Sequence, residues 1–126
     1  MSEMKTFEDL EAWKACRDLR LFIAEQVVPT LPSEESYRLK DQLLRCSRST
    51  TANIAEGYGR FHYKENTKFL RIARGSCYEV LDHLITGVDE HLFPEPLSSK
   101  VRDLVEQSVK LINGYVRYLE KRAAES

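Results

Sequence analysis

Apolar residues recur along this chain at spacings of three and four, the period of an α-helix with one buried face. Trp13, Cys16, Leu19, Ile23 and Val27 predict a first helix from about Phe7 to Val28. Thr6 and Asp9 are spaced as a capping box at its start, and Pro29 and Pro32 end it. Leu39, Leu43, Cys46, Thr50 and Ile54 predict a second helix, with Ser33 as N-cap and Gly57 as a left-handed C-cap. A third helix, from about Tyr63 to His91, buries Leu70, Ala73, Cys77, Val80, Leu84 and Val88. Phe93-Pro94-Glu95-Pro96 then reads as a rigid connector. The fourth helix follows Ser98 or Ser99 and carries Val101, Leu104/Val105, Ser108, Leu111/Ile112, Tyr115 and Leu119.

Long helices joined by short connectors pack against their sequence neighbours. The expected fold is therefore all-α: an up-down-up-down antiparallel four-helix bundle, one domain over residues 1–126. Some apolar positions are surplus to it. Tyr37, Leu44 and Ala55 project away from the core line of the second helix, and Leu10, Leu21 and Val28 form a second line on the first. Self-association would bury them, and a homo-oligomer is expected.

With 126 residues, the chain is long enough to bury a core without disulfides or a metal. Only five Gly and four Pro are present, too few for a turn-rich β fold. No stretch reaches the ~20 apolar residues of a membrane span, and the start has no signal-peptide pattern, so a cytoplasmic protein is expected, without a membrane role. Cys16, Cys46 and Cys77 are odd in number, far apart and at apolar helical positions. They read as small core residues in a reducing compartment.

Charge is the stronger clue. The net charge is −1, but residues 37–75 hold nine Lys/Arg against three acids, a net of +6. The remainder has ten basic and 17 acidic residues, a net of −7. Lys64, Lys68, Arg71 and Arg74 fall on one arc of the third helix, Arg38, Arg45 and Arg48 add charge from the second, and Arg60 from the loop between them. Cations in the N-terminal half of the third helix, with Glu79, Asp82, Asp89 and Glu90 after them, oppose the macrodipole, so helix stability does not account for the arrangement. Tyr58, Phe61, His62 and Tyr63 place aromatics at the connecting loop, where unpaired bases could stack. Two uses fit: contact with RNA or DNA, or pairing with the acidic part of another subunit or of a protein partner.

Enzymatic chemistry finds little support. A di-metal carboxylate bundle needs Glu-x-x-His on two helices, whereas Glu79 and His83 are four apart and neither His62 nor His91 has an acid three residues earlier. Gly57-Tyr58-Gly59-Arg60 lacks the lysine and Ser/Thr of a phosphate loop, and no strand precedes it. The expectation is no enzyme, no cofactor, no metal.

The most distinctive stretch is Gln42 to Arg60, with Asn53-Ile54-Ala55-Glu56-Gly57-Tyr58-Gly59-Arg60 at its end. Gly75-Ser76-Cys77-Tyr78-Glu79 and Phe7 to Trp13 accompany it. Together these resemble the four-helix-bundle family of 23S rRNA intervening-sequence proteins, over nearly the whole chain. Thr50 and Thr51 stand where that family often has Ile-Pro. The resemblance implies a homo-oligomer, a pentamer, and kinship with accessory proteins of diversity-generating retroelements, which work beside a reverse transcriptase and nucleic acid. Independently of it, Gln42, Ser49, Asn53 and Glu56 lie within roughly 60° on one edge of the second helix. They are expected to hydrogen-bond to the third helix and fix its register, with Ser76 as a partner. Gly75, Gly87 and Gly114 mark possible close approaches between helices.

Overall fold

The computed structural model describes residues 4–32 and 36–125. Four helices make the fold: α1 (Glu11–Phe22), α2 (Ser36–Gly59), α3 (Tyr63–Asp89) and α4 (Glu95–Glu125). No strand occurs among the described residues. Contacts run α1–α2, α2–α3, α3–α4 and back from α4 to α1, closing a ring of four helices. The pairings set the direction of each neighbour. Phe7 meets Tyr58 while Cys16 lies beside Thr50; Gly57 lies against Asn66 while Ser49 bonds Ser76. Leu119 shares a groove with Thr67, and Val105 shares one with Leu81. Tyr115 lies beside Ala12, and Leu104 beside Phe22. In each pair residue numbers climb on one helix as they fall on the next, so every neighbour is antiparallel.

The helical stripes meet in one interior. Leu19, Ile23, Leu43, Ile54, Leu70, Leu84, Val101 and Ile112 are wholly closed to solvent, each contributing about 1.5–3 kcal/mol of transfer free energy. The middle of this interior is different. Cys16, Thr50, Cys77 and Ser108, one from each helix, are all fully buried there. Cys16 lies beside the other three, and its sulfur is within hydrogen-bonding reach of that of Cys77, at 3.9 Å. Thr50 and Ser108 also donate to the carbonyls of Ser47 and Leu104, at 2.7 and 2.8 Å. No polar group of this small-residue layer lacks a partner, which removes the cost of placing it in the core. All three cysteines are free thiols.

Several boundaries differ from those the sequence suggests. The Asp9 carboxylate does accept the Lys5 and Thr6 amides, at 2.8 and 3.3 Å, but the turn it caps is a short 3-10 segment, Phe7–Asp9; α1 begins at Glu11. After Phe22 the first helix becomes a π-helical turn, Ile23–Val27, then a 3-10 turn, Val28–Thr30. Pro29 is the physical reason: its ring crowds the carbonyl four residues back and it has no N–H to donate, so the ladder widens before it. Ser33 and the side chain of Tyr37 lie outside the described residues.

Gly57 does not cap α2. No glycine has positive φ, and α2 runs on to Gly59. The left-handed residue after α2 is Phe61, and the one after α3 is His91, both at φ 59°. α3 therefore stops at Asp89. Leu92 N–H returns to Gly87 O and His91 N–H to Val88 O, the Schellman pattern with histidine in the glycine position. Pro94 and Pro96 do not hold a helix off. Pro96 sits in the first turn of α4, where a missing N–H costs nothing. Leu10 is buried, and Val28 packs against the core. They therefore serve the monomer's own interior, not an outward line. Of the predicted close approaches only Gly87 is one, lying under the Phe93 ring; Gly75 has nothing within 4 Å of an added Cβ, and Gly114 has only Arg117 at 4.0 Å.

Candidate nucleic-acid interface

Of the polar edge of α2, only Ser49 hydrogen-bonds across to α3 among the described residues; Gln42, Asn53 and Glu56 bond to near neighbours in the chain, because their side chains reach their own helix turn first. Ser49 Oγ and Ser76 Oγ are 2.8 Å apart, and Asn53 Nδ2 donates to Ser49 O and Oγ at 2.8 and 2.9 Å. Arg45 donates to Gln42 Oε1 and reaches Glu79 at 3.4 Å. Glu56 pairs with Arg60, just past the end of α2, at 2.9 Å. Gly57 belongs to the same seam for a steric reason: a Cβ there would lie 2.8 Å from Asn66 Oδ1 and 3.0 Å from Asn66 O and Phe69 Cβ. Asn66 is buried, donates to the Tyr115 hydroxyl at 3.4 Å, and leaves its Oδ1 without a partner. Burial pushes the Tyr115 phenol above its ordinary pKa. The contact of Asn66 is not visible in sequence, because a polar residue in the first turn of a helix ordinarily faces water.

The seven cations singled out in the sequence divide by partner. Arg45 and Arg60 lie along the α2–α3 seam with acids: Arg45 with Glu79, Arg60 with Glu56 and Glu65. The Arg60 guanidinium also lies over the Phe69 ring, 5.1 Å from its centre. Arg71 and Arg74 turn to α4, meeting Glu120 at 3.3 Å and Asn113 Oδ1 at 2.6 Å. Arg48, Lys64 and Lys68 are exposed, with no ion-pair partner among the described residues.

The α3–α4 seam gathers further cations. A groove of about 450 Å³ is lined by Tyr78 and Leu81 of α3 and by Arg102, Glu106, Lys110, Asn113 and Arg117 of α4. Arg74 reaches into its edge through Asn113. Arg102, Lys110 and Arg117 are exposed and have no ion-pair partner among the described residues. Farther along the seam a second groove of about 320 Å³ is lined by Tyr63, Lys64, Thr67, Arg71 and Glu120. Phe61 stands at the adjoining corner, 93% exposed in a left-handed conformation that an aromatic residue rarely takes. Reading charge as a linear segment passes over Arg102, Lys110 and Arg117. They are eight and seven residues apart, about two helical turns each, and helical phase alone would have aligned them.

Residues 8–114 match the sequence pattern of the 23S rRNA-intervening sequence proteins. A search of curated proteins found no match. The matched segment holds the α2 polar edge, the Gly57 contact with α3 and most of the α3–α4 groove. With four antiparallel helices and a match over most of its length, this chain belongs to the 23S rRNA-intervening sequence protein family.

Proposed function

We propose that this protein is a non-enzymatic, self-associating bundle that binds single-stranded nucleic acid along its basic surface, with the α3–α4 seam as the track. One observation carries the reading. Arg102, Lys110 and Arg117 flank a groove beside an exposed Tyr78; Glu106 is the one acid lining it, and none of the three cations is ion-paired among the described residues. A phosphate backbone supplies the missing charge, and exposed tyrosines offer flat faces to unpaired bases. Lys64 continues the track beside Tyr63 in the second groove, where Arg71 is held by Glu120. The α2–α3 cations contribute less, since Arg45 and Arg60 already face acids.

Fluorescence anisotropy with labelled single-stranded RNA and DNA, across a salt series, tests this. Arg102→Gln, Lys110→Gln and Arg117→Gln together should weaken binding by roughly tenfold or more and flatten the log–log salt slope by about 2. Arg45→Gln should change binding little. No binding at low salt, or binding indifferent to the triple variant, rejects the track.

Self-association rests on a separate feature. Ile72 and Ile85 are exposed on α3, and Gly75 between them meets nothing. Light scattering should give a mass above that of one chain, reduced by Ile72→Asp with Ile85→Asp. A monomeric parent protein rejects this part of the proposal and leaves the track to stand on the anisotropy result.

A further inference from the structure

A different group of side chains, away from the α3–α4 seam, brings three kinds of metal ligand together. Cys46 of α2 and Glu79 and His83 of α3 place a sulfur, a carboxylate oxygen and a ring nitrogen all within 4.8 Å of one another. We propose that these three residues bind one zinc ion between α2 and α3.

The geometry is close to what tetrahedral zinc asks for. With Zn–N and Zn–O bonds near 2.0–2.2 Å, the nitrogen and oxygen of such a site stand roughly 3.3–3.5 Å apart. His83 Nε2 and Glu79 Oε2 are 3.4 Å apart. They sit four residues apart on one helix, a spacing that holds both side chains on one face whether or not a metal is present. Cys46 comes from the facing helix and needs only to close the remaining gap. One thiolate, one imidazole and one carboxylate suit zinc better than magnesium or calcium, which take oxygen ligands. Three protein ligands leave a fourth position, and the partial exposure of Glu79 and His83 lets water reach it.

The charges also fit. A thiolate and a carboxylate together balance a divalent cation. Without metal, the Cys46 thiol donates to Leu43 O at 3.6 Å. Zinc therefore has to displace the thiol proton, so each ion bound releases a proton to solvent. Arg45 shares Glu79 Oε2 at 3.4 Å but also bonds Gln42, and that second partner holds it when Oε2 turns to the metal.

The other two thiols supply an internal control. Cys16 and Cys77 lie deep in the core beside Thr50 and Ser108, with no histidine or carboxylate in that group. The chain is reduced, stripped with chelator and titrated anaerobically with Co²⁺ as a spectroscopic probe. The expected result is one ion per chain, the visible bands of tetrahedral cobalt and a thiolate-to-cobalt charge-transfer band. Zn²⁺ should erase these bands and release protons in proportion. Cys46→Ser should abolish the charge-transfer band. His83→Gln, at a side chain only 21% exposed, removes one of three ligands and should lower affinity by at least the roughly ten- to hundredfold that loss of an outer-shell partner costs. Cys16→Ser should leave the spectrum unchanged. Circular dichroism checks that each variant is folded. No binding overturns the proposal. So does a charge-transfer band that survives Cys46→Ser, or an affinity that His83→Gln leaves intact.

Discussion

Gly57 and Gly75 are both helical glycines, yet the structure gives them opposite parts. An added methyl at Gly57 would press on the Asn66 backbone carbonyl and on Phe69, neither of which can move without shifting α3. Gly57→Ala should therefore destabilise the fold by about 1–3 kcal/mol in a denaturant titration. At Gly75 nothing lies within 4 Å, so the same change should stabilise an isolated chain by about 0.5–1 kcal/mol through helix propensity alone. A Gly75→Ala variant that is instead less stable at high protein concentration would show that another chain packs there. The motif around Gly57 is plain in the sequence, but its purpose is not: a glycine near a helix end looks like a terminator until the opposing helix is in place. Ser49 and Ser76 were legible as partners because helical phase puts both on facing edges. Asn66 was not, since the orphaned Oδ1 and the bond to Tyr115 depend on a helix 49 residues away.

The elements themselves followed from periodicity, and their ends did not. A stripe of apolar residues marks a helix's face, whereas its last turn is decided by which residue will take the left-handed conformation. Phe61 and His91 do so here, without the glycine that usually announces it. For a residue with a Cβ that conformation costs roughly 1–2 kcal/mol. Replacing either with glycine should thus raise the melting temperature, each contributing about 1 kcal/mol in chemical denaturation. Only Phe61→Gly should also weaken nucleic-acid binding, because only Phe61 is an exposed aromatic close in the chain to Tyr63, which lines the seam groove. Equal binding by both variants would remove Phe61 from the interface. Pro96 shows the converse error: a proline that reads as a helix breaker becomes a helix starter when it falls in the first turn.

For the whole molecule, the antiparallel order was legible because connectors this short leave few other ways to pack. The distribution of charge over the folded surface was not. It depends on which cations meet carboxylates on the next helix, as Arg45 and Arg71 do, and which are left over, as Lys110 and Arg117 are. The central layer of Cys16, Thr50, Cys77 and Ser108 bears on how the molecule comes apart. Each of the four helices contributes a short side chain at that level, so their axes share one tight waist with no slack for a longer one. Widening it at a single point, as with Ser108→Leu, pushes on three neighbours at once. The penalty should exceed the about 1–3 kcal/mol of ordinary overpacking and should speed amide exchange in every helix together, where Leu43→Ala would loosen mainly its own surroundings. A bundle girdled in this way yields as a unit or not at all.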